Sequence, residues 1–201
     1  VLGVYIGTIV LLNIPNIQQA MSVFVAEELS EVLNTKVVIG RINMGLLNRI
    51  IIDDVLLDDQ SGQEMLKVTR LSAKFDIMPF FKGKISISSV QLFGFNINLR
   101  KETPDSPPNF KFVLDAFASK DTVKKENSLD LRINSILIRR GRMSYHVLSE
   151  EETPGKFNAK HIQLQNIIAN ISLKALSKDS LNLGIKRLSL DEKASGFSLK
   201  K

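Results

Sequence analysis

Apolar positions recur along this chain in the pattern φ-x-x-φ-x-φ, where φ is apolar or Ala, and six copies can be read. They are Ile52/Val55/Leu57, Val68/Leu71/Ala73, Ile87/Val90/Leu92, Ile133/Ile136/Ile138, Leu164/Ile167/Ala169 and Ile185/Leu188/Leu190. In each copy two polar residues follow the first apolar one. A strand sends alternate side chains to opposite faces, so two consecutive polar residues break the alternation by one position. A bulge or bend at the polar pair returns the apolar residues to a single face. The copies beginning at Ile87 and Ile133 share their context as well. Ile85 and Leu131 stand two residues upstream, and Gly94-Phe95-Asn96-Ile97 and Gly141-Arg142-Met143-Ser144-Tyr145 follow. A permissive pattern also arises from plain antiparallel alternation in a strand-rich chain. The shared context favours a true repeat of one bent strand, apolar on one side.

The elements expected from this pattern are mainly β. Strands are expected at 36–42, 50–57, 65–77, 84–101, 129–147, 161–173 and 181–190, joined into a long, curved antiparallel sheet that forms an open apolar groove. The stretch 84–101 would reach roughly 55–60 Å at ~3.3 Å per residue, far beyond an ordinary strand. Asn13-Ile14-Pro15 punctuates the start of an amphipathic helix within 13–35, with Ile17, Ala20, Met21, Phe24, Val25, Leu29, Val32 and Leu33 at helical spacing and Glu27, Glu28 and Glu31 opposite. Its acidic polar face suits capping the first open sheet edge better than lying on anionic lipid. Met78–Gly83 is expected as a one-turn apolar plug. Residues 102–127 form an insertion, with a short helix over Asn109–Phe117 and a polar, mobile stretch over Ser119–Asn127.

Residues 1–12 carry no charge. Twelve helical residues cover roughly 18 Å, short of the ~30 Å hydrocarbon core. The reading is the last part of a transmembrane anchor, with a buried core helix as the alternative. Both ends of the chain read as cut from a longer protein, so the β-groove of residues 36–201 is expected to continue beyond it.

Composition narrows the chemistry. The 201 residues contain no Cys, which excludes a disulfide, a thiolate zinc site and a Cys nucleophile, and leaves the compartment open. The net charge of +6 is spread singly among strands, with no basic patch interleaved with aromatics, so nucleic acid is not an expected partner. No Walker loop, G-x-S-x-G, G-x-G-x-x-G or H-E-x-x-H occurs, and no enzyme activity or cofactor is expected. The two histidines, His146 and His161, have no carboxylate at metal-ligand spacing, so no metal site is expected. Asp53-Asp54 and Asp58-Asp59 read as solvated carboxylates rather than calcium ligands. Arg139-Arg140 reads as an exposed strand end rather than a phosphate clamp.

Order and spacing carry a resemblance. An apolar start is followed by a helix ending Ala26-Glu27-Glu28-Leu29, then Thr35-Lys36-Val37-Val38-Ile39-Gly40 and Ile52-Asp53-Asp54-Val55-Leu56-Leu57-Asp58. After a Gly turn come Leu71-Ser72-Ala73-Lys74-Phe75-Asp76-Ile77, then Phe81 through Leu92 and Gly94. The first hundred residues thus resemble the amino-terminal region of the AsmA-like family, and more closely its TamB branch in a Bacteroides-type form. The remainder fits the same continuing repeat.

The resemblance implies an inner-membrane anchor, single-pass, and a periplasmic β-groove of U-shaped section like that of chorein-type bridge proteins. It implies phospholipid acyl chains as cargo, moved from inner to outer membrane. Its alternative is a scaffold for outer-membrane β-barrel assembly or secretion, with an Omp85-type barrel partner reached through a region absent from this chain. The family carries no catalytic residues. The residues expected to line the groove are Ile52, Val55, Leu57, Val68, Leu71, Ile85, Ile87, Val90, Leu92, Phe95, Ile97, Leu131, Ile133, Ile136, Ile138, Met143, Tyr145, Leu164, Ile167, Ile185 and Leu188.

Overall fold

Long strands dominate the chain. The computed structural model describes residues 14–45, 48–75, 85–118, 129–130, 135–176 and 181–201, together with Gly3 and Gly7. In these the order is α1 (Pro15–Leu33), β1 (Val37–Gly45), β2 (Arg49–Asp58), β3 (Glu64–Phe75), β4 (Ile85–Lys101), α2 (Lys111–Ala118), β5 (Leu129–Asp130), β6 (Ser135–Val147), β7 (His161–Leu176), β8 (Leu181–Glu192) and β9 (Ser198–Lys200). One open sheet runs β1-β2-β3-β4-β6-β7-β8-β9, and β5 pairs with β4 off that path. β4 has 17 residues and β7 has 16, so the expected long strands are present. The anchor expected over 1–12, the plug expected at 78–83 and the polar stretch of 119–127 lie outside the described residues, Gly3 and Gly7 apart. Among the described residues no helix is long and apolar enough to cross a membrane.

The sheet is not antiparallel throughout. β4 and β6 run parallel, with Val90 opposite Ile136 and Leu92 opposite Ile138, and the two-residue β5 is also parallel to β4. Parallel neighbours need a long connection. The insertion after Lys101 supplies it, so β6 starts again from the end where β4 started. The expected single strand over 129–147 is divided into β5 and β6.

The helix α1 forms as the sequence predicts and buries part of the expected stripe, Met21, Val25, Leu29 and Leu33, while Ala20, Phe24 and Val32 are left exposed. Pro15 opens it, and Asn34 closes it in the left-handed conformation, with Asn34 N–H donating to the Glu31 carbonyl and Thr35 N–H to that of Ser30. Gln18, Ser22 and Leu33 are buried, and Met21, Val25, Ala26 and Leu29 pack against the core, whereas Val23, Phe24 and Val32 are exposed. Apolar residues occupy more than half the helix circumference, so the pattern by itself did not choose the inward face. The Ser30 hydroxyl accepts the Val37 N–H at 3.0 Å, tying the helix to the start of β1.

Two apolar clusters result. Leu33, Val37, Ile39, Ile42, Leu57 and Met65 are buried beneath α1 and α2, with Phe110, Phe112, Val113 and Ala116 packed on them. The insertion is therefore not a mere interruption, because its helix helps to cover the first strands. In the second cluster Val68, Phe95 and Ile167 are buried among Val55, Leu66, Leu71, Leu92, Ile97, Ile138, Met143, Leu164 and Leu190, all of them on strands of the same sheet.

Candidate functional site

Residues paired across neighbouring strands face the same side of a sheet. Following the register from strand to strand places the repeat residues in continuous rows. One row is Met44, Ile50, Ala73, Val90, Ile136, Ile171 and Ile185. The next is Ile42, Ile52, Leu71, Leu92, Ile138, Ala169 and Leu188. A third joins Ile39, Val55, Val68 and Phe95, then Gly141 and Ile167. A fourth joins Val37, Leu57, Leu66, Ile97, Met143 and Leu164, and ends at Glu192. Tyr145 lies beyond them, between Leu99 and Ile162.

An extra residue separates the second row from the third. Ile52 and Val55, Leu92 and Phe95, and Ile138 and Gly141 are each three apart. The residue just before the return position is left-handed in each case: Asp54 (φ 56), Gly94 (φ 64) and Arg140 (φ 55). In β7 the left-handed residue, Asn166 (φ 54), falls one row further on, between Ile167 of the third row and Leu164 of the fourth. A left-handed residue reverses the pleat once, so both apolar residues reach one face. In β2 and β7 this falls at the polar pair, as the pattern predicts. In β4 and β6 a left-handed residue instead follows the last apolar residue of the unit, at Phe93-Gly94 and Arg139-Arg140. The β4 polar pair coincides instead with a register slip, where Lys74 faces Ser89 but Phe75 faces Ile87.

The line of extra residues is crowded. A Cβ at Gly40 would meet the Asp54 Cβ at 2.9 Å, and one at Gly94 would meet the Thr69 hydroxyl at 2.7 Å. At Gly141 a Cβ would fall 2.3 Å from the Phe95 ring, so glycine there leaves room for the largest side chain of the third row.

The opposite face is more polar, with Ile51, Phe93 and Leu137 among its members. Asn43, Ile51, Ser72, Gln91, Leu137, Asn170 and Arg187 form one row, and Arg41, Asp53, Arg70, Phe93 and Arg139 form another. Arg70 Nε donates to Asp53 at 2.5 Å, and the Arg140 guanidinium lies 5.1 Å from the centre of the Phe93 ring. A shallow pocket of about 780 Å³ runs along this side, lined among others by Arg41, Asp54, Gln91 and Leu137.

Of the residues expected to line a groove, Leu57, Val68, Phe95 and Ile167 are buried. Ile52, Val55, Leu71, Val90, Leu92, Ile97, Ile136, Ile138, Met143, Tyr145, Leu164 and Leu188 are half-buried on the shared face. Ile185 keeps its place in the first row but is 56 % exposed, because β8 has only the short β9 beyond it. Ile85 and Ile87 belong to β4, but their side chains are outside the described residues, as are Leu131 and Ile133 altogether. Met44, Ile50, Ile42, Ile39, Val37, Leu66 and Ile171 complete the rows and were missed. They fall outside the six-fold pattern, and only cross-strand register identifies them.

Two expectations about polar residues are corrected. Asp59 is not solvated: it is 2 % exposed and receives Ser61 N–H at 2.9 Å, the Ser61 hydroxyl at 2.6 Å and Asn109 Nδ2 at 3.1 Å. Burial alone would push its carboxyl up; the hydrogen bonds from Ser61, Asn109 and Gln63 outweigh it and hold the group below the usual range. The histidines are not without a carboxylate. His146 and His161 face each other across β6 and β7, and the loop between them brings Glu152 Oε1 to 3.7 Å from His146 Nδ1 and 4.0 Å from His161 Nδ1. The spacing H-x5-E-x8-H, folded about the Glu150–Gly155 turn, was the available signal. It becomes visible only once the two histidines are paired at the loop end of the β6–β7 hairpin. Comparison with family models, curated proteins and solved structures finds no match to this chain.

Proposed function

We propose that this chain carries phospholipid acyl chains along its row-built apolar face, as the membrane-proximal part of a conduit between the inner and outer membranes of a diderm bacterium. The observation that carries the reading is the continuity of the rows. Two of them run unbroken through seven strands, and from β4 onward most of their described members are half-buried rather than buried. An apolar face of that extent, with a more polar face behind it, calls for an apolar occupant. Acyl chains gain about 25 cal/mol per Å² of apolar surface removed from water. The left-handed residues Asp54, Gly94 and Arg140 between the second and third rows are irregularities of the kind that bend a strand, which would suit a groove of U-shaped section. Helices α1 and α2 close the first end of this face, which suits a mouth next to an anchor in the inner membrane. At about 4.8 Å per strand, the eight strands of the main path extend roughly 35 Å along the groove, so a bridge needs further repeats.

The test is site-specific photo-crosslinking in cells, with the probe at Val90 or Ile136 on the apolar face and at Gln91 or Leu137 on the opposite one. Lipid adducts confined to Val90 and Ile136 are the expected result. Equal adducts at all four positions overturn the groove, and adducts to nascent barrel proteins in place of lipid would support a scaffold for outer-membrane protein assembly.

A further inference from the structure

We propose that His146, Glu152 and His161 form a binding site for a divalent transition metal of the zinc class. Such a metal would clasp the 148–160 loop to the ends of β6 and β7. The two histidine Nδ1 atoms are 3.0 Å apart, and Glu152 Oε1 stands 3.7 and 4.0 Å from them. The point equidistant from these three atoms is the circumcentre of a triangle with those sides, and it lies about 2.1 Å from each. Zinc bonds to imidazole nitrogen and carboxylate oxygen measure about 2.0–2.2 Å. Two histidines and one carboxylate are also a donor set that zinc favours over magnesium or calcium.

The hydrogen bonds around the cluster point the same way. His161 Nε2 lies 2.9 Å from the Glu150 carbonyl oxygen, which can only accept. Nε2 therefore carries a proton, and in the neutral ring Nδ1 presents its lone pair toward His146. A backbone carbonyl that fixes the far nitrogen is the usual support of a metal-bound imidazole. The loop is itself held in place: Lys160 pairs with Glu150 at 2.6 Å, Asn158 Nδ2 donates to the Glu151 carbonyl at 3.1 Å, and Val147 N–H donates to the Lys160 carbonyl at 2.9 Å. His161 is 8 % exposed and fixes the inner side of the site. Glu152, with a side chain 64 % exposed, provides the outer ligand and leaves an approach from solvent for a fourth. The inference is independent of the lipid reading.

The competing account is a bare hydrogen bond, with His146 Nδ1–H donating to His161 Nδ1. The two accounts separate in titrations of the EDTA-stripped 201-residue chain with Zn²⁺ and Co²⁺. A 1:1 isotherm for Zn²⁺ is expected, with the visible absorption of a four- or five-coordinate Co²⁺ centre and a thermal midpoint that rises with free Zn²⁺. Loss of an outer-shell partner typically weakens a metal site about 10- to 100-fold, so His146→Ala, His161→Ala and Glu152→Gln should each weaken binding by at least that factor. Glu152→Gln is on the surface and should keep the apo midpoint of the parent, which separates loss of a ligand from loss of fold. No 1:1 binding by the parent chain, or equal binding by parent and Glu152→Gln, overturns the proposal.

Discussion

Arg100 reaches from the end of β4 to Asp59 in the β2–β3 turn, its guanidinium nitrogen 2.6 Å from a carboxylate that is 2 % exposed. Asn109, just ahead of α2, binds the same carboxylate oxygen and also the Asn98 carbonyl. One buried charge thus joins a turn, a strand end and the entry to the insertion, three segments up to fifty residues apart in sequence. Asp59→Ala should destabilise the chain by about 3 kcal/mol, at the low end for a broken buried pair because Arg100 keeps some access to water. Asp59→Asn, which retains part of the turn, should cost less. Urea unfolding of the two variants checks the order, and an Ala variant as stable as the parent would remove the knot from the account.

Gly141 and Phe95 make a second coupled pair. A methyl group at position 141 would fall 2.3 Å from the Phe95 ring, and the Ile167 Cβ at 3.0 Å leaves no way round. Gly141→Ala should cost about 2–3 kcal/mol through overpacking. Phe95→Leu in the same chain should return part of that loss, because it removes the atoms in conflict. A double-mutant cycle measures the coupling; strict additivity would show that the two positions do not meet.

Stability at low pH should depend on Glu192, which closes the fourth row. Burial alone would raise its carboxyl, but Ser195, Ala194 and Gln163 donate to it and bring it down from 4.5 to about 2. A carboxylate with a lower pKa in the folded chain binds fewer protons there than when unfolded. Its stabilisation is therefore complete above about pH 4.5 and is lost as the pH falls toward about 2. The loss amounts to about 3 kcal/mol by the usual conversion of 1.36 kcal/mol per unit. Glu192→Gln should be less stable than the parent at neutral pH and should show a flatter acid limb. Parallel stability–pH curves for the two chains would contradict the assignment.

The apolar face can be interrupted at one point. Val90 and Ile136 are direct partners, so Asp at both would set like charges opposite each other and confuse loss of fold with loss of cargo. Val90→Asp alone is the cleaner variant. It should fold, as judged by circular dichroism, yet reduce lipid adducts several-fold at a probe placed at Ile136. Val90→Ser should have a smaller effect, since an uncharged hydroxyl costs less than an unpaired carboxylate in an apolar path. Unchanged adducts in Val90→Asp would count against acyl chains passing that row.

The apolar face of each strand was legible in the sequence, and so was the place of the extra residue in β2 and β7, because side-chain alternation is a local property. The spacing of Ile52, Val55 and Leu57, or of Leu164, Ile167 and Ala169, states where one strand must reverse its pleat. Pro15, the apolar spacing of α1 and the turn residues near Gly62 were equally local. Tertiary structure decided which copies lie side by side and in which direction. Val90 beside Ile136 in parallel depends on the path of a long insertion, which no spacing encodes. It also decided which stripe of α1 turns inward, since more than half of that helix is apolar and its spacing alone does not single out one face. Asp59 and the histidine–glutamate cluster were misread for the same physical reason. A carboxylate in a turn has the same sequence whether water or Arg100 surrounds it, and His146, Glu152 and His161 become neighbours only when β6 and β7 pair and the loop folds back over their ends.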